Sequence, residues 1–590
     1  MLWVVVAGAG LGGVTVAIRP ATIAAEADPL PPLFTIWKRI VRTLIARAAA
    51  RGAARVGAAL PASLDLFAVA APVQGVAILA TAGATAAAIV ARDRRRRATA
   101  MLAAPALAVI ALATLASRFH VPSIGPALAA AGVAGLAAVA VLTWLVHRRP
   151  DALPLLAVGA LAFRVPVSVS GSAANLLLPL YAVIAAGTLA YAWRWLRTRD
   201  DDQEEAPPPP LLRRLKLAFA VVLVVYGAQS VYSTDVEPAL KNVCLFYVPF
   251  ALLFLLLLEV RWTRWLLHAS LGVTVVLALV FAVIGCIEFA TGHLLITNAK
   301  VVEANDLLPY FRVNSLFFDP NIYGRYLALT MVLLATVLLW TRRRREAVLI
   351  ACALALLWAG LVFSLSQSSF AALLLGLAVL AALRWSPWPV LAGAAAAAVV
   401  AVALVVFAPS LLNIETGSQA KLDRITSGRA DLVVGALEMV RDRPLWGYGS
   451  GSFTERYRER ERVSSDKVAA ASHTIPLTVT AEQGVIGLVA YLALVAVSLA
   501  LLFRGLRVAV ASARWPGVVA VARVGIAAAY AALLLHTLVY AAYLEDPLSW
   551  VLLAVAATLR TEPPEGSDAE SATGSSDMDR SYTGADVRAA

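Results

Sequence analysis

The first residues that could do chemistry lie between Arg312 and Arg325, directly before a long apolar segment. A guanidinium can hold a phosphate through two parallel hydrogen bonds, so Arg312 is a candidate anion ligand. A surface arginine without a ligand is the equal alternative on these grounds alone. Asn321 is predicted to cap the apolar helix that follows. Arg325, one turn further on, either makes a second polar contact or extends its charge to the membrane interface.

A second group, from Lys421 to Arg429, precedes a segment with a helical apolar face that Pro444 should end. Ser427 is the predicted N-cap of this helix. The free backbone amides at such a helix start, with Arg424 and Arg429 beside them, would form an anion site. The glycine-rich run at 447–452 is predicted to be a flexible turn and is, on its own, weak evidence of phosphate binding.

A third candidate is His473, at the water-side mouth of an apolar segment with Pro476 in its first turn. The positive end of a helix favours the neutral imidazole that a general base requires. An interfacial histidine without a role is the alternative. Further along this helix, Glu482 is expected to be buried and hydrogen-bonded, while Gly484 and Gly487 should let another helix approach closely.

The elements that position these residues must be membrane helices. Of 590 residues, 61% are hydrophobic and 15% charged, whereas a soluble domain carries about 25% charged residues. The apolar residues fall in blocks of about 18 to 28, long enough to cross a bilayer as helices. The predicted fold class is an all-α, polytopic integral membrane protein with about 14 to 16 transmembrane helices. The predicted spans are 2–18, 64–91, 99–117, 124–146, 152–168, 173–196, 214–232, 240–259, 265–290, 321–340, 346–364, 367–384, 387–408, 476–503, 518–541 and 547–559.

The formal net charge of +13 comes mostly from basic clusters that recur in every second loop from residue 92 onward. The positive-inside rule places these loops in the cytoplasm, so the charge orients the chain and does not indicate nucleic acid. One long loop, at about 409–475, is then extracytoplasmic. It holds ten Lys or Arg and nine Asp or Glu and is predicted to be at least partly folded. A basic amphipathic helix around 34–60 is expected on a membrane surface whose side stays open.

Four regions follow from these patterns. They are an N-terminal membrane region of unclear role (1–196), an acidic, proline-rich cytoplasmic linker (197–214), a second membrane domain with the long loop (215–560) and a disordered cytoplasmic tail (561–590). A G-x-G-x-x-G motif at Gly8, Gly10 and Gly13 lacks the strand–helix–strand context of a dinucleotide site. No cysteine or histidine spacing indicates a metal site.

Several motifs in order resemble the O-antigen ligase and polysaccharide polymerase superfamily of bacterial membrane glycosyltransferases, over roughly 215–560. They are Arg312 followed by Asp319-Pro-Asn321, a serine-rich segment at 363–370 (the serine turn), Arg429 with Pro444-x-x-Gly447-x-Gly449, and His473-Thr474 followed after nine residues by Gly484-x-x-Gly487. The family more often has Asn, Ser or Gln where Thr474 stands. The serine turn either lines a substrate groove or satisfies two helix ends, and the second interpretation is favoured.

This resemblance implies a glycosyltransferase in the bacterial cytoplasmic membrane with an extracytoplasmic active site. The donor would be a glycan on a polyprenyl diphosphate, such as undecaprenyl diphosphate, and the acceptor a lipid, glycan or protein hydroxyl. Arg312 and Arg429 would bind the diphosphate, with Arg424 as a less certain substitute for Arg429, and His473 would be the base. Asn321, Arg325 and Glu482 would support these groups, and no cofactor or metal is expected. The enzyme is predicted to be inverting. The competing class is a lipid-linked-sugar flippase or another multi-span transporter.

Overall fold

The computed structural model describes residues 66–116, 126–169, 172–197, 207–296, 299–307, 310–390 (with 392, 393 and 396), 429–461, 474–506, 517–540 and 542–559. Helices dominate these ranges. They are α1 (Leu66–Val90), α2 (Arg94–Ala116), α3 (Pro126–Arg148), α4 (Ala152–Ala160), α5 (Leu178–Arg197), α6 (Pro210–Ser230), α7 (Val236–Asn242), α8 (Val248–Leu258), α9 (Arg264–Thr291), α10 (Ala299–Leu307), α11 (Pro320–Trp340), α12 (Arg344–Ser364), α13 (Gln367–Arg384), α14 (Arg429–Asp442), α15 (Phe453–Glu461), α16 (Ile475–Phe503), α17 (Val518–Val539) and α18 (Pro547–Leu559).

Nine helical runs within these ranges are long and apolar enough to cross a membrane. They are α1, α2, the run from α7 through a π-helical turn (Val243–Tyr247) into α8, α9, α11, α12, α13, α16 and α17. Helix α18 and the C-terminal part of α3 are shorter apolar helices, and α5 and α6 coincide with predicted spans. The predicted all-α, polytopic membrane class is confirmed. The predicted spans 2–18 and most of 387–408, the surface helix at 34–60, half of the linker and the tail lie outside the described residues.

The predicted span at 152–168 is wrong. Helix α4 ends at Ala160, and the chain continues into an antiparallel hairpin of β1 (Val165–Val169) and β2 (Ser172–Leu176). Val165 lies opposite Leu176, and Val169 opposite Ser172. The β1 sequence places valine at every second position, a pattern that suits a strand. Apolar content without its periodicity therefore predicts a helix where the chain forms a hairpin.

Helix α11 lies at the centre of the second membrane domain. It packs on α12, α13 and α17, and also contacts α9, while α17 packs in turn on α13, α16 and α18. Two aromatic contacts join α18 to helices from earlier in the chain, because Trp550 stacks on Phe219 of α6 at 4.2 Å and meets Phe254 of α8 edge-on at 6.3 Å. Stacked and edge-on aromatic pairs add to the stability gained from burial. They fix α18 against α6 and α8.

The described part of the long loop is folded, as predicted. Helices α14 and α15 share a small apolar core with the start of α16, formed by Leu432, Ala436, Met439, Phe453, Tyr457 and Ala481. Arg460 of α15 also pairs with Glu438 and Asp442 of α14. The hydrogen bond from Arg460 holds the pKa of the Asp442 carboxyl below its usual range. The water-side element is thus tied to the membrane helix that follows it.

Candidate functional site around the serine turn

Arg312 is fixed at its backbone and at one guanidinium nitrogen. Asn305 of α10 accepts a hydrogen bond from the Arg312 N–H at 2.9 Å and donates one to the Arg312 carbonyl at 3.0 Å. The Arg312 Nε donates to the carbonyl of Ser364, the last residue of α12, at 3.3 Å. The side chain is half-buried, and no carboxylate in the described ranges forms an ion pair with it. Among the described residues, the two terminal nitrogens of this guanidinium thus have no carboxylate partner.

The serine turn connects Arg312 to the start of α11. Ser366 Oγ donates to Asn321 Oδ1 at 2.9 Å and shares a hydrogen bond with Ser369 Oγ at 2.8 Å. Ser368 Oγ lies 3.2 Å from Nε2 of His536, which is fully buried in α17. Because Ser364 at the same turn accepts the bond from Arg312, two motifs distant in sequence meet at one place. These three hydrogen bonds join side chains, and Ser366 at the N-cap of α13 makes no side-chain capping bond. The prediction that the turn satisfies two helix ends therefore stays a prediction.

Asn321 is not the N-cap that its position suggested. Asp319 takes that role, with an extended backbone and a carboxylate that accepts the N–H of Asn321 at 2.6 Å. Pro320 occupies the first helical position, where its missing N–H costs no hydrogen bond. Asp and Asn cap helices about equally well, so sequence alone could not choose between them. The side chain of Asn321 is thereby left to bind the serine turn.

Arg325 forms a buried ion pair. Its Nη2 lies 2.6 Å from Oδ2 of Asp546, with the two side chains 3% and 2% exposed. Asp546 also caps α18 by accepting the N–H of Leu548 at 2.9 Å. Arg164, which follows α4, lies beside the pair. Burial lowers the pKa of Arg164, and the nearby Asp546 raises it.

The cavity shared by Arg164, Arg325 and Asp546 measures about 20 Å³, enough for about one water molecule. A diphosphate does not fit there. Arg325 therefore supports the fold next to Asn321 and does not itself hold such a ligand in this conformation.

Glu482 is buried and hydrogen-bonded, as predicted, and its partners are in the glycine loop, which we define as residues 444–453. Its Oε2 accepts the N–H of Gly451 at 2.9 Å and its Oε1 accepts that of Phe453 at 3.2 Å. The predicted turn is present, and it is packed into the protein, because Ser450 and Ser452 are fully buried. The amide groups that a phosphate would need are bound to a carboxylate of the protein.

Gly484 and Gly487, which are predicted to let another helix approach closely, have a different role. Gly484 breaks α16 with φ 65° and ψ −165°, a region open essentially to glycine alone. A side chain there would overlap the carbonyl of Leu445, and one at Gly447 would overlap that of Glu482. Gly449 N–H donates to the carbonyl of Glu482 at 2.8 Å. These glycines therefore let the glycine loop cross the break in α16, while Gly487 makes room for the side chain of Gln483 in the same helix.

The structure locates some of the predicted site residues and not others. It brings Arg312, Asn321 and Arg325 to the region of the serine turn, and joins Glu482 to the glycine loop. Arg429 begins α14, but its side chain is outside the description, as are Arg424 and His473 altogether. Helix α16 does begin where predicted, with Thr474 at its N-cap and proline in its first turn.

Three polar residues were not predicted from the sequence, of which two are buried and Glu545 is half-buried. His536 and Asp546 join the cluster around α11, and Glu545 accepts a hydrogen bond from Tyr247 Oη at 3.1 Å. Burial raises the pKa of Glu545. A signal existed for each of them, because all lie inside or at the edge of an apolar block, where an ionisable side chain is a functional candidate by default.

Residues 352–492 match the family model described as O-Antigen ligase. The matched segment runs from α12 into α16, so it contains the serine turn, the glycine loop and Glu482. Arg312, Asn321 and Arg325 precede it. The match confirms the predicted resemblance to the O-antigen ligase and polymerase superfamily. Among curated proteins, none matches the chain.

Proposed function

We propose that this O-antigen ligase-like membrane protein transfers a glycan from a polyprenyl diphosphate to an acceptor hydroxyl on the outer face of the cytoplasmic membrane. The proposal depends mainly on how Arg312 is held by its neighbours. Its backbone is held by Asn305 and its guanidinium by the carbonyl of Ser364, and no described carboxylate neutralises it. A fixed cation of this kind at the boundary of an apolar helix suits a phosphate ligand.

In the proposed reaction, the acceptor oxygen forms a bond to the anomeric carbon of the donor sugar as the bond from that carbon to the diphosphate oxygen breaks. The electron pair of the broken bond stays on the diphosphate, and the acceptor proton passes to His473. Arg312 and Arg429 stabilise the charge that grows on the diphosphate, with Arg424 as the alternative to Arg429. Charge stabilisation by arginine needs no metal ion, and a single displacement inverts the anomeric configuration.

The other predicted residues hold this arrangement in place. The serine turn receives Arg312 through Ser364 and Asn321 through Ser366. Glu482 binds the glycine loop to α16, and that loop follows the helix begun by Arg429. Supporting residues of this type keep catalytic groups within a fraction of an ångström of the productive geometry.

The test is a set of variants in the purified, detergent-solubilised protein, scored by the polyprenyl diphosphate released and the glycan attached to acceptor. We expect Arg312→Ala and Arg429→Ala to lower the rate by about 10²–10³-fold, as for loss of one group that stabilises transition-state charge. His473→Ala should lose about 10²–10⁴-fold.

Matched controls come from the same side of the protein. Arg441, exposed in the last turn of α14, and His293, exposed just after α9, are an arginine and a histidine outside the proposed site. Arg441→Ala and His293→Ala should retain the wild-type rate. A rate for Arg312→Ala or His473→Ala equal to that of its control contradicts the assignment of that residue.

A further inference from the structure

A large cavity lies at the opposite ends of the helices from the serine turn. Its volume is about 560 Å³, within the range of small-molecule sites. It is formed where α2 begins and where α3, α5 and α8 end. None of the residues in the proposed transfer mechanism lines it, so an inference about this cavity is independent of that mechanism.

Aromatic residues at this end of the helices indicate the level of a membrane interface. Trp144 of α3, Trp193 of α5 and Trp265 of α9 are between 53% and 60% exposed. Arg148 lies over the Trp144 ring at 5.6 Å and Arg197 over the Trp193 ring at 3.5 Å. Exposed tryptophans with neighbouring arginines are typical of the headgroup level. The basic clusters assign this end to the cytoplasmic leaflet.

The chemistry of the cavity wall changes from charged to apolar. Its charged side carries three arginines, Arg94, Arg194 and Arg261, and two acids, Asp151 and Glu259. Glu259 is paired with Arg97 at 2.9 Å. The Arg94 and Arg194 guanidinium carbons lie 4.3 and 5.1 Å from the Trp195 ring centre, which places two cations beside one tryptophan ring.

The apolar side is made by buried residues from four helices, namely Val146, Leu153, Ala190 and Leu256. A soluble phosphate would gain nothing from such a surface, whereas the glycerol and first acyl carbons of a lipid would be removed from water there.

We propose that this cavity binds an anionic phospholipid of the cytoplasmic leaflet. The exposed arginines Arg194 and Arg261 hold its phosphate, and the apolar side covers the glycerol and the start of an acyl chain. Basic pockets between membrane helices on the cytoplasmic side bind lipid headgroups of this charge. The bound lipid would link α2, α3, α5 and α8, and so the N-terminal membrane region with the second membrane domain.

Native mass spectrometry of the full-length protein in detergent tests this site. Phosphatidylglycerol, cardiolipin, phosphatidylethanolamine and glycerol 3-phosphate are titrated separately. We expect the two anionic lipids to bind at least about tenfold more tightly than phosphatidylethanolamine, whose amine neutralises its phosphate, since attraction of a net negative headgroup is worth roughly fivefold per nearby arginine and two arginines are involved. The variant Arg194→Gln/Arg261→Gln should lose this preference. Arg213→Gln, an exposed arginine at the start of α6, should keep it.

A second variant separates lipid from soluble phosphate. Ala190→Leu adds volume to the apolar side and leaves the arginines unchanged, so it should weaken anionic lipid binding by several-fold. If the double variant does not fold, Arg194→Gln alone serves, because Arg194 is exposed. The proposal is overturned by equal binding of anionic and zwitterionic lipid, by a preference that survives loss of Arg194 and Arg261, or by glycerol 3-phosphate binding as tightly as lipid.

Discussion

The buried pair of Arg325 and Asp546 offers a prediction that depends on the structure alone. Both side chains are at most 3% exposed and their charged atoms are 2.6 Å apart. Removing one partner of such a pair typically costs about 3–5 kcal/mol, because the other charge stays buried without compensation. In Asp546→Asn, Arg325 and the neighbouring Arg164 would face each other without a carboxylate. Asparagine still caps α18, so we expect the free energy of unfolding to fall by about 3–5 kcal/mol because the carboxylate charge is removed.

The assay is unfolding in mixed micelles with increasing SDS, followed by far-UV circular dichroism. The matched control is Glu346→Gln, which breaks the pair of Arg343 and Glu346, whose side chains are 81% and 48% exposed. Exposed pairs contribute about 0–1 kcal/mol. In the double variant Arg325→Met/Asp546→Asn, the destabilisation should be smaller than the sum of the single effects by about 1–3 kcal/mol. The reasoning is refuted if Asp546→Asn costs no more than Glu346→Gln, or if the single effects add.

Three further predictions use the same protein. Glu482→Ala leaves the buried N–H groups of Gly451 and Phe453 without an acceptor, so it should lower the free energy of unfolding by about 2–6 kcal/mol. Wild-type stability of this variant in SDS unfolding would contradict the prediction. Gly484→Ala should lower the free energy of unfolding by more than about 3 kcal/mol, because the Gly484 backbone has φ 65° and an added Cβ would overlap Leu445. In the control Gly272→Ala in α9, the added Cβ meets no atom within 4 Å, so this variant should be tolerated. Equal melting temperatures of the two variants would refute the comparison. Since the pKa of Asp442 is depressed by Arg460, its stabilisation is present at neutral pH and lost on acidification. The difference in melting temperature between wild type and Asp442→Asn should therefore shrink as the pH falls from about 7 to about 3, and a constant difference would be evidence against the ion pair.

Much of the membrane architecture could be predicted from the sequence, because a hydrocarbon core forces long apolar blocks into helices. Helices α11, α12 and α16 begin within two residues of the predicted positions. The hairpin after α4 could not be found by apolar content, since Val165 to Val169 is as apolar as a helix of that length. The alternation of valine and the proline at position 166 separate the two structures.

The sequence predicts several individual residues of the candidate site, but not which residues they bind. The order of motifs identified Arg312, Asn321 and Glu482, and Glu482 is buried and bonded as expected. Its partners Gly451 and Phe453, and the pairing of Arg325 with Asp546, depend on which helices become neighbours. That is a property of the tertiary fold, which local patterns do not contain.

The most direct test of the proposed function is phosphorus NMR of the wild-type protein in detergent, supplied with a polyprenyl-diphosphate-linked glycan and its acceptor. In micelles there are no two compartments, so transport cannot change the spectrum. We predict acceptor-dependent conversion of the diphosphate diester signal into that of the free polyprenyl diphosphate, with one glycan attached to acceptor for each diphosphate released. A donor signal that stays unchanged in micelles, while the same protein moves the intact donor across liposome membranes, would contradict a transferase and identify a transporter.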